Sequence, residues 1–527
     1  MVKHIGGLSR RRFLASIGAA AGVATLRPAE ALAQVISEAA GGTVAASDVF
    51  GRIFSLQAFA DFNAPSLRPA LTAMGARGSV LDARDPLEVG PVRLITEPAL
   101  SPNNVDNPGH TAGVTFVGQF LDHDMTFDET SQLGVPLDPL AAPNTRTPDF
   151  DLDSVYGAGP TGSPELYEAS DRDKFRIGSN GLFEDLPRNS GGSAIIADRR
   201  NDENLMLAGL HCAFLLFHNR VVDQLRSQGQ TNVFAAAQQL VRWHYQWIIL
   251  HEILPLFVGQ PLVNQILQNG RQIYRPAAGQ QFIPVEFQGA AYRMGHSMVR
   301  PSYRANLAGD PGGNPNTGAP AFFGMIFDPA GQGQADPVDL RGGARAPRRF
   351  IGWQTFFDFG GNHTAAVRPN KRIDTNISTP LFDLPLAAIP SADRPTSLPQ
   401  RNLLRHVTWS IPSGQQIAQA TGITPILWAQ DFPELQQFGH GLPSSTPLWY
   451  YILKEAQLLG GGARLAGVGA RIVAEVFIGL LQLDPGGYLA TNPNWRPTLP
   501  RRSGPTGDFR MVDLLTFARV DPDSRGQ

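Results

Sequence analysis

Four long stretches of helical periodicity limit what this chain can fold into. Asn204–Leu225, Val233–Phe257, Glu286–Val299 and Leu448–Leu483 repeat apolar residues at the three-to-four spacing of a buried helix face, the last interrupted by Gly460-Gly461-Gly462. Strand-like alternation is scarce, no internal repeat is visible, and connections such as Leu307–Pro320 and Asp328–Pro347 are dense in proline and glycine. With 42% hydrophobic and 17% charged residues over 527 positions, the chain can bury a large core and has no composition for extended disorder. The pattern predicts a mainly α fold: one large helical domain over residues 34–527, its helices joined by long Pro/Gly-rich loops.

The first 33 residues read as an address. Ser9-Arg10-Arg11-Arg12-Phe13-Leu14 fits a twin-arginine signal, the uncharged apolar run Ile17–Leu26 follows, and Ala31-Leu32-Ala33 offers a small-residue cleavage site. The run is too short for a stable anchor, so no membrane anchor is expected after processing. Export through the twin-arginine translocase to the periplasm or beyond follows as the expected location. A single cysteine, Cys212, excludes an intrachain disulfide, which suits a protein folded in a reducing cytoplasm before export. A formal charge of −2 gives no reason to expect nucleic acid as a partner.

Chemistry concentrates around two of the 11 histidines. In Gly118-Gln119-Phe120-Leu121-Asp122-His123-Asp124, Gln119, Asp122 and His123 share a helix face, while Asp124 points elsewhere. In Tyr292-Arg293-Met294-Gly295-His296, glycine before histidine leaves room for something flat and large at the imidazole. Asp198-Arg199-Arg200-Asn201-Asp202-Glu203-Asn204 opens a helix; its acids could simply be caps, but arginine there opposes the helix dipole and calls for an anionic or polar neighbour. The pairs His211/His218 and His244/His251 sit seven apart, about 10 Å along a helix axis, too far to share one metal, and read as packing residues. His110, His363, His406 and His440 fall in loop-like or mixed contexts without a ligand partner.

Those three clusters, in this order and with His218-Asn219-Arg220 following the second, resemble the animal-type haem peroxidases of the peroxidase–cyclooxygenase superfamily, including bacterial secreted members. The resemblance runs from about residue 50 to the C-terminus and is strongest between 110 and 300. It implies a haem b enzyme in which His123 is the distal histidine, Gln119 the distal glutamine, Arg200 the distal arginine and His296 the proximal iron ligand. Leu398-Pro399-Gln400-Arg401-Asn402 resembles the segment whose asparagine accepts a hydrogen bond from the proximal imidazole, which assigns Asn402. Asp122 and Glu203 match the carboxylates that esterify the haem. Asn204 stands where a methionine would add a third link, which puts chloride oxidation in doubt. Thr147-Pro148-Asp149-Phe150-Asp151-Leu152-Asp153 resembles the family's calcium loop, with Asp124, Thr147, Asp151 and Asp153 offering side-chain oxygens and Asp149 its carbonyl. Without a cation, the same segment would be an acidic surface turn.

The chemistry so implied is reduction of hydrogen peroxide and oxidation of a halide, pseudohalide or small aromatic donor through a ferryl intermediate, with His123 moving the proton and Arg200 stabilising the leaving oxygen. Two rivals remain at this point. A haem fatty-acid dioxygenase would place a tyrosine three residues before the proximal histidine, where this chain has Arg293 in the haem-binding segment. A haem- or calcium-binding scaffold without turnover would need no distal constellation.

Overall fold

The computed structural model describes residues 48–179, 183–307, 321–328, 339–343, 349–389, 391, 393–502 and 507–527. The signal reading and most of the two Pro/Gly-rich connections lie outside them. Among the described residues, the helices that position the core and the cavity are α1 Leu67–Met74, α2 Gly113–Met125, α3 Leu205–Ser227, α4 Val233–Ile248, α5 Gln260–Asn269, α6 Gly295–Met298, α7 Leu398–Thr408, α8 Leu448–Leu459 and α9 Gly467–Leu483. Among the described residues, sheet is confined to three two-stranded antiparallel ribbons, Asp106–Thr111 with Pro369–Lys371, Gly178–Ser179 with Glu184–Asp185, and Ser302–Arg304 with Phe323–Met325. One hydrophobic core runs without division from Phe50 to Val520. The mainly α expectation holds.

Helix α3 lies at the centre. It is long and apolar enough to pass for a membrane span, yet it is largely buried against α2, α4 and the C-terminal helix Met511–Phe517. Asn204 starts it, its side-chain oxygen accepting from Leu207 N at 3.0 Å, as an N-cap should. Helix α2 packs on α3 through Phe120 and Phe214, stacked at 4.7 Å. Its first residue must be glycine because a Cβ at Gly113 would sit 2.3 Å from Cζ of Phe357.

Three predicted helices differ in detail. Val233–Phe257 is interrupted by a π turn over Ile249–Ile253. Pro255 lacks the N–H for the next helical bond and its ring crowds the carbonyl four residues back, and the wider turn absorbs both. Glu286–Val299 is three pieces: Val285–Gln288, a 3-10 turn Ala291–Met294, and α6. The break falls at Gly289, where a Cβ would meet Val285 O and Ile411 Cδ1, each at 2.7 Å, so the chain turns there under a tertiary constraint. Leu448–Leu483 divides into α8 and α9 at the triple glycine, with Gly461 and Gly462 at φ +59° and +71°. His406, expected in a mixed context, is fully buried on α7. Its Nδ1 donates to Asn402 O at 2.9 Å and its Nε2 accepts from Trp449 N at 3.0 Å.

Candidate active site

The cavity face of α2 follows from spacing. Gln119, Asp122, His123 and Thr126 recur at i, i+3, i+4 and i+7, so all four line one cavity, while Asp124 is buried on another face. Gln119 is pinned at both ends: its Nε2 donates to Glu203 Oε2 at 3.1 Å and its Oε1 accepts from Asn204 Nδ2 at 3.3 Å. Asn204 therefore caps α3 with its oxygen and holds Gln119 with its amide nitrogen. Burial pushes the Glu203 carboxyl up to about 8, against the pull of Arg200. Burial also raises Asp122, again opposed by Arg200 and then Arg293.

Arg200 is clamped by Asp198, the anion its position called for. Its Nε and Nη2 donate to the two Asp198 oxygens at 3.0 and 2.7 Å, Nη2 also reaches His123 O at 3.0 Å, and the guanidinium lies 4.0 Å from the Phe127 ring centroid. Nη1 has no protein partner among the described residues. Asp198 further accepts from Arg146 Nε at 2.9 Å, and the two arginines hold it well below the usual carboxylate range despite its burial. His123 is pushed down to about 3, first by burial and then by Arg200, so it is a neutral imidazole at ordinary pH. Its Nδ1 lies 2.9 Å from Asn201 Oδ1, and Asn201 Nδ2 lies 3.0 Å from His211 Nδ1. His211 is thus more than the packing residue its spacing suggested.

His296 sits on α6, half-buried and lining the same cavity. Burial, then Arg293, brings it down to about 3, so it too is neutral. Asn402 is where the resemblance put it, on α7 with its Nδ2 2.8 Å from His296 Nδ1. Its Oδ1 accepts from Arg293 Nη1 at 3.0 Å, so the amide end that faces the imidazole here is nitrogen, whereas the sequence reading expected oxygen. Helix α6 is anchored by Ser297, which exchanges hydrogen bonds with the Asp374 backbone at 2.7 and 2.9 Å.

The residues fit a porphyrin. The space that water centres can reach between them is about 250 Å³. It is bounded by apolar side chains such as Phe257, Met298, Leu384 and Ile389, with polar groups gathered at a few points. Gly295 opens onto empty space, since a Cβ there would meet nothing within 4 Å. A buried acceptor in the lining, Gln288 Oε1, has no partner among the described residues. Nε2 of His296 is likewise without a protein partner among the described residues. Arg293, Arg401 and Arg405 also line the cavity and would offer cations to the group's carboxylates; Arg405 is held by Asp128 at 2.8 Å. Sequence reasoning missed Arg405, though it stands one helical turn after Asn402.

Behind α2, Asp124, Asp151 and Asp153 bring carboxylate oxygens within 4.8 Å of one another. Burial pushes Asp153 up to about 7 and, with repulsion from Asp151 and Asp153, raises Asp124 well above its usual range. A divalent cation would relieve that repulsion, and hard oxygen donors suit calcium. Asp149 lies in the same loop, its side chain accepting from Gln281 Nε2 at 2.7 Å. Thr147 lies in the same loop, its N–H donating to Asp153 Oδ2 at 3.0 Å.

The sequence profile described as animal haem peroxidase matches residues 132–318, a span holding Arg200, Glu203 and His296. Over that span the chain is similar to the animal haem peroxidases. Its similarity to heme peroxidase 2 of Caenorhabditis elegans is 26% identity over 235 residues, 40% of this chain and 32% of that protein. To peroxidasin of Drosophila melanogaster it is 24% over 290 residues, 52% of this chain and 17% of that protein. The chain therefore spans about a third or less of the curated relatives it matches. The fold is similar to peroxidase A of Dictyostelium discoideum, with a TM-score of 0.54 at 16% identity over 78% of this chain and 88% of that one. It is also similar to the fatty acid alpha-dioxygenase of Oryza sativa, with a TM-score of 0.53 at 15% identity over 84% and 77%. This shared fold is what brings residues 119, 123, 200 and 296 to one cavity.

Proposed function

We propose that this protein is a haem peroxidase that reduces hydrogen peroxide and oxidises a small donor. The observation that carries the reading is that His296, His123, Arg200 and Gln119, drawn from three separated segments, line one cavity. His296, backed by Asn402, would hold the iron, and Arg293, Arg401 and Arg405 the porphyrin carboxylates. When bound, haem supplies the two-electron chemistry that splits peroxide. Neutral His123 takes the proton from the attacking oxygen and returns it to the departing one, and the free Nη1 edge of Arg200 stabilises the negative charge that develops there. Asp122 and Glu203 would carry ester links to the haem, and Asp124, Thr147, Asp149, Asp151 and Asp153 would hold calcium. Asn204, occupied with Gln119 and the cap of α3, offers no thioether, so bromide, iodide, thiocyanate or phenols are the expected donors rather than chloride. Export by the twin-arginine route, to the periplasm or beyond, belongs to the same proposal.

The test is an absorption spectrum of haem-loaded protein before and after peroxide. A Soret band that changes with peroxide, disappears in His296→Ala and responds on the order of 10² more slowly in Arg200→Leu is expected. A band indifferent to both substitutions would overturn the reading. The dioxygenase reading shares the fold, and Tyr292 lines the cavity with its hydroxyl donating to Gly118 O at 2.9 Å. Peroxide-independent oxygen uptake with a fatty acid would favour it.

A further inference from the structure

We propose that Asn201 and His211 form a buried relay that fixes which nitrogen of His123 carries the proton, leaving Nε2 free to act as the base. The inference rests on the peroxidase reading, because only there does His123 need a bare nitrogen towards the cavity.

A neutral imidazole has one N–H and one lone pair, and the two are exchangeable between Nδ1 and Nε2. His123 can accept a proton from a ligand in the cavity only if Nδ1 is the protonated nitrogen. Among the described residues, Nδ1 of His123 has one partner, Asn201 Oδ1 at 2.9 Å. An oxygen there must be offered an N–H, so this contact selects the useful tautomer. Asn201 itself has unlike ends, and a half-turn of its amide would present N–H to His123 and reverse the selection. What opposes the half-turn is the far end: Nδ2 donates to His211 Nδ1 at 3.0 Å. Asn201 and His211 are 0% and 1% exposed, so water cannot substitute for either partner. The order of donors is thus His123 Nδ1–H to Asn201 Oδ1, then Asn201 Nδ2–H to the His211 Nδ1 lone pair. Both are positioning residues that touch neither haem nor substrate. The elements agree with the role. Asn201 lies in the 3-10 turn that presents Arg200, and His211 sits two turns into α3, so one stretch of chain aligns both distal groups.

The test separates a tautomer lock from simple packing by pairing variants of like size. Asn201→Asp keeps an acceptor-only group against Nδ1–H and should react with peroxide within a few-fold of the wild-type rate. Asn201→Leu fills the same space with no acceptor and should be slower on the order of 10². At the far end, His211→Met retains a weak acceptor and no donor, so it should hold the rate better than His211→Leu by about tenfold. A second readout uses ligand binding without turnover. Association of hydrogen cyanide with the ferric haem requires a base to take its proton, and should slow in Asn201→Leu in parallel with peroxide. Carbon monoxide binding to the ferrous haem transfers no proton and should not change. If Asn201→Asp and Asn201→Leu are equally impaired, or both ligands slow together, the relay is only packing and the inference fails. If instead the haem-loaded wild type does not react with peroxide at all, it is the peroxidase reading that fails.

Discussion

Removing the Asp198 carboxylate should expose how much of the site around Arg200 and His123 is held by one buried charge. Asp198 is 1% exposed and accepts four hydrogen bonds: from Arg200 N, Nε and Nη2, and from Arg146 Nε. In Asp198→Ala, two buried guanidiniums lose their common counter-charge, keeping only His123 O for Arg200 and Ala197 O with the 3.5 Å contact to Asp153 for Arg146. Breaking a buried pair from one side costs about 3–5 kcal/mol. A transition entropy of about 2.1 cal/mol/K per residue makes that about 3–5 °C in melting temperature for a chain of this length. Arg146→Leu should cost less, since Asp198 would still be neutralised by Arg200. The pH dependence has a definite sign. Asp198 is held below its ordinary range when folded, so its stabilisation is fully present above the unfolded value near 4 and is lost only as pH falls through the depressed folded one. The gap between wild type and Asp198→Ala, followed by thermal melting, should therefore persist from pH 5 to 8, changing only through Glu203 and Asp153, whose carboxyls Asp198 helps to raise. A loss under 1 kcal/mol, or a gap that closes between pH 5 and 7, would refute the argument.

Other outcomes follow from the same geometry. Calcium should raise the melting temperature and a chelator should lower it; binding measured by calorimetry should weaken on going from pH 8 to pH 6, because Asp153, pushed up to about 7, takes up a proton that competes with the cation. Equal affinity at the two pH values would count against Asp153 as a ligand. His406→Leu strips Trp449 N of its buried partner, while Asn402 O keeps its helical N–H, and should cost about 1–3 kcal/mol, read as a lower melting temperature together with weaker retention of haem. Gly113→Ala drives a methyl into the Phe357 ring and should cost about 1–3 kcal/mol; Phe357→Leu in the same chain should recover part of it, and no recovery would mean that the strain lies elsewhere.

How far the sequence could be read depended on whether the deciding contact was local. The stripe Gln119, Asp122, His123 is a spacing rule, and so is the separation of Asp124 from it; both are visible in the six letters from 119 to 124. The cap at Asn204 is local too, but its second bond, to Gln119 across 85 residues, is not. The break in Glu286–Val299 was hidden because it answers to Ile411 and Trp409, which reach Gly289 from another part of the chain. His211 was read as packing because a spacing of seven speaks only about its own helix. Its role depends on Asn201, ten residues earlier and outside that helix.

His123 and His296 show why burial alone does not assign a function. Burial brings both imidazoles down to about 3, so both are neutral, and each rests its Nδ1 on an asparagine amide. The difference lies in what grips the far end of that amide. At Asn201 it is a lone pair on His211, which turns the oxygen towards His123. At Asn402 it is the donor-only guanidinium of Arg293, which draws the oxygen away from His296. Ligation of a metal through Nε2 of His296 requires the proton on Nδ1, and hence an acceptor facing it. The Asn402 oxygen has two lone pairs, enough for an imidazole N–H and for Arg293 together once the amide turns. On the peroxidase reading, the Asn402 amide would have to turn for His296 to hold a metal through Nε2, whereas Asn201 already offers its oxygen to His123.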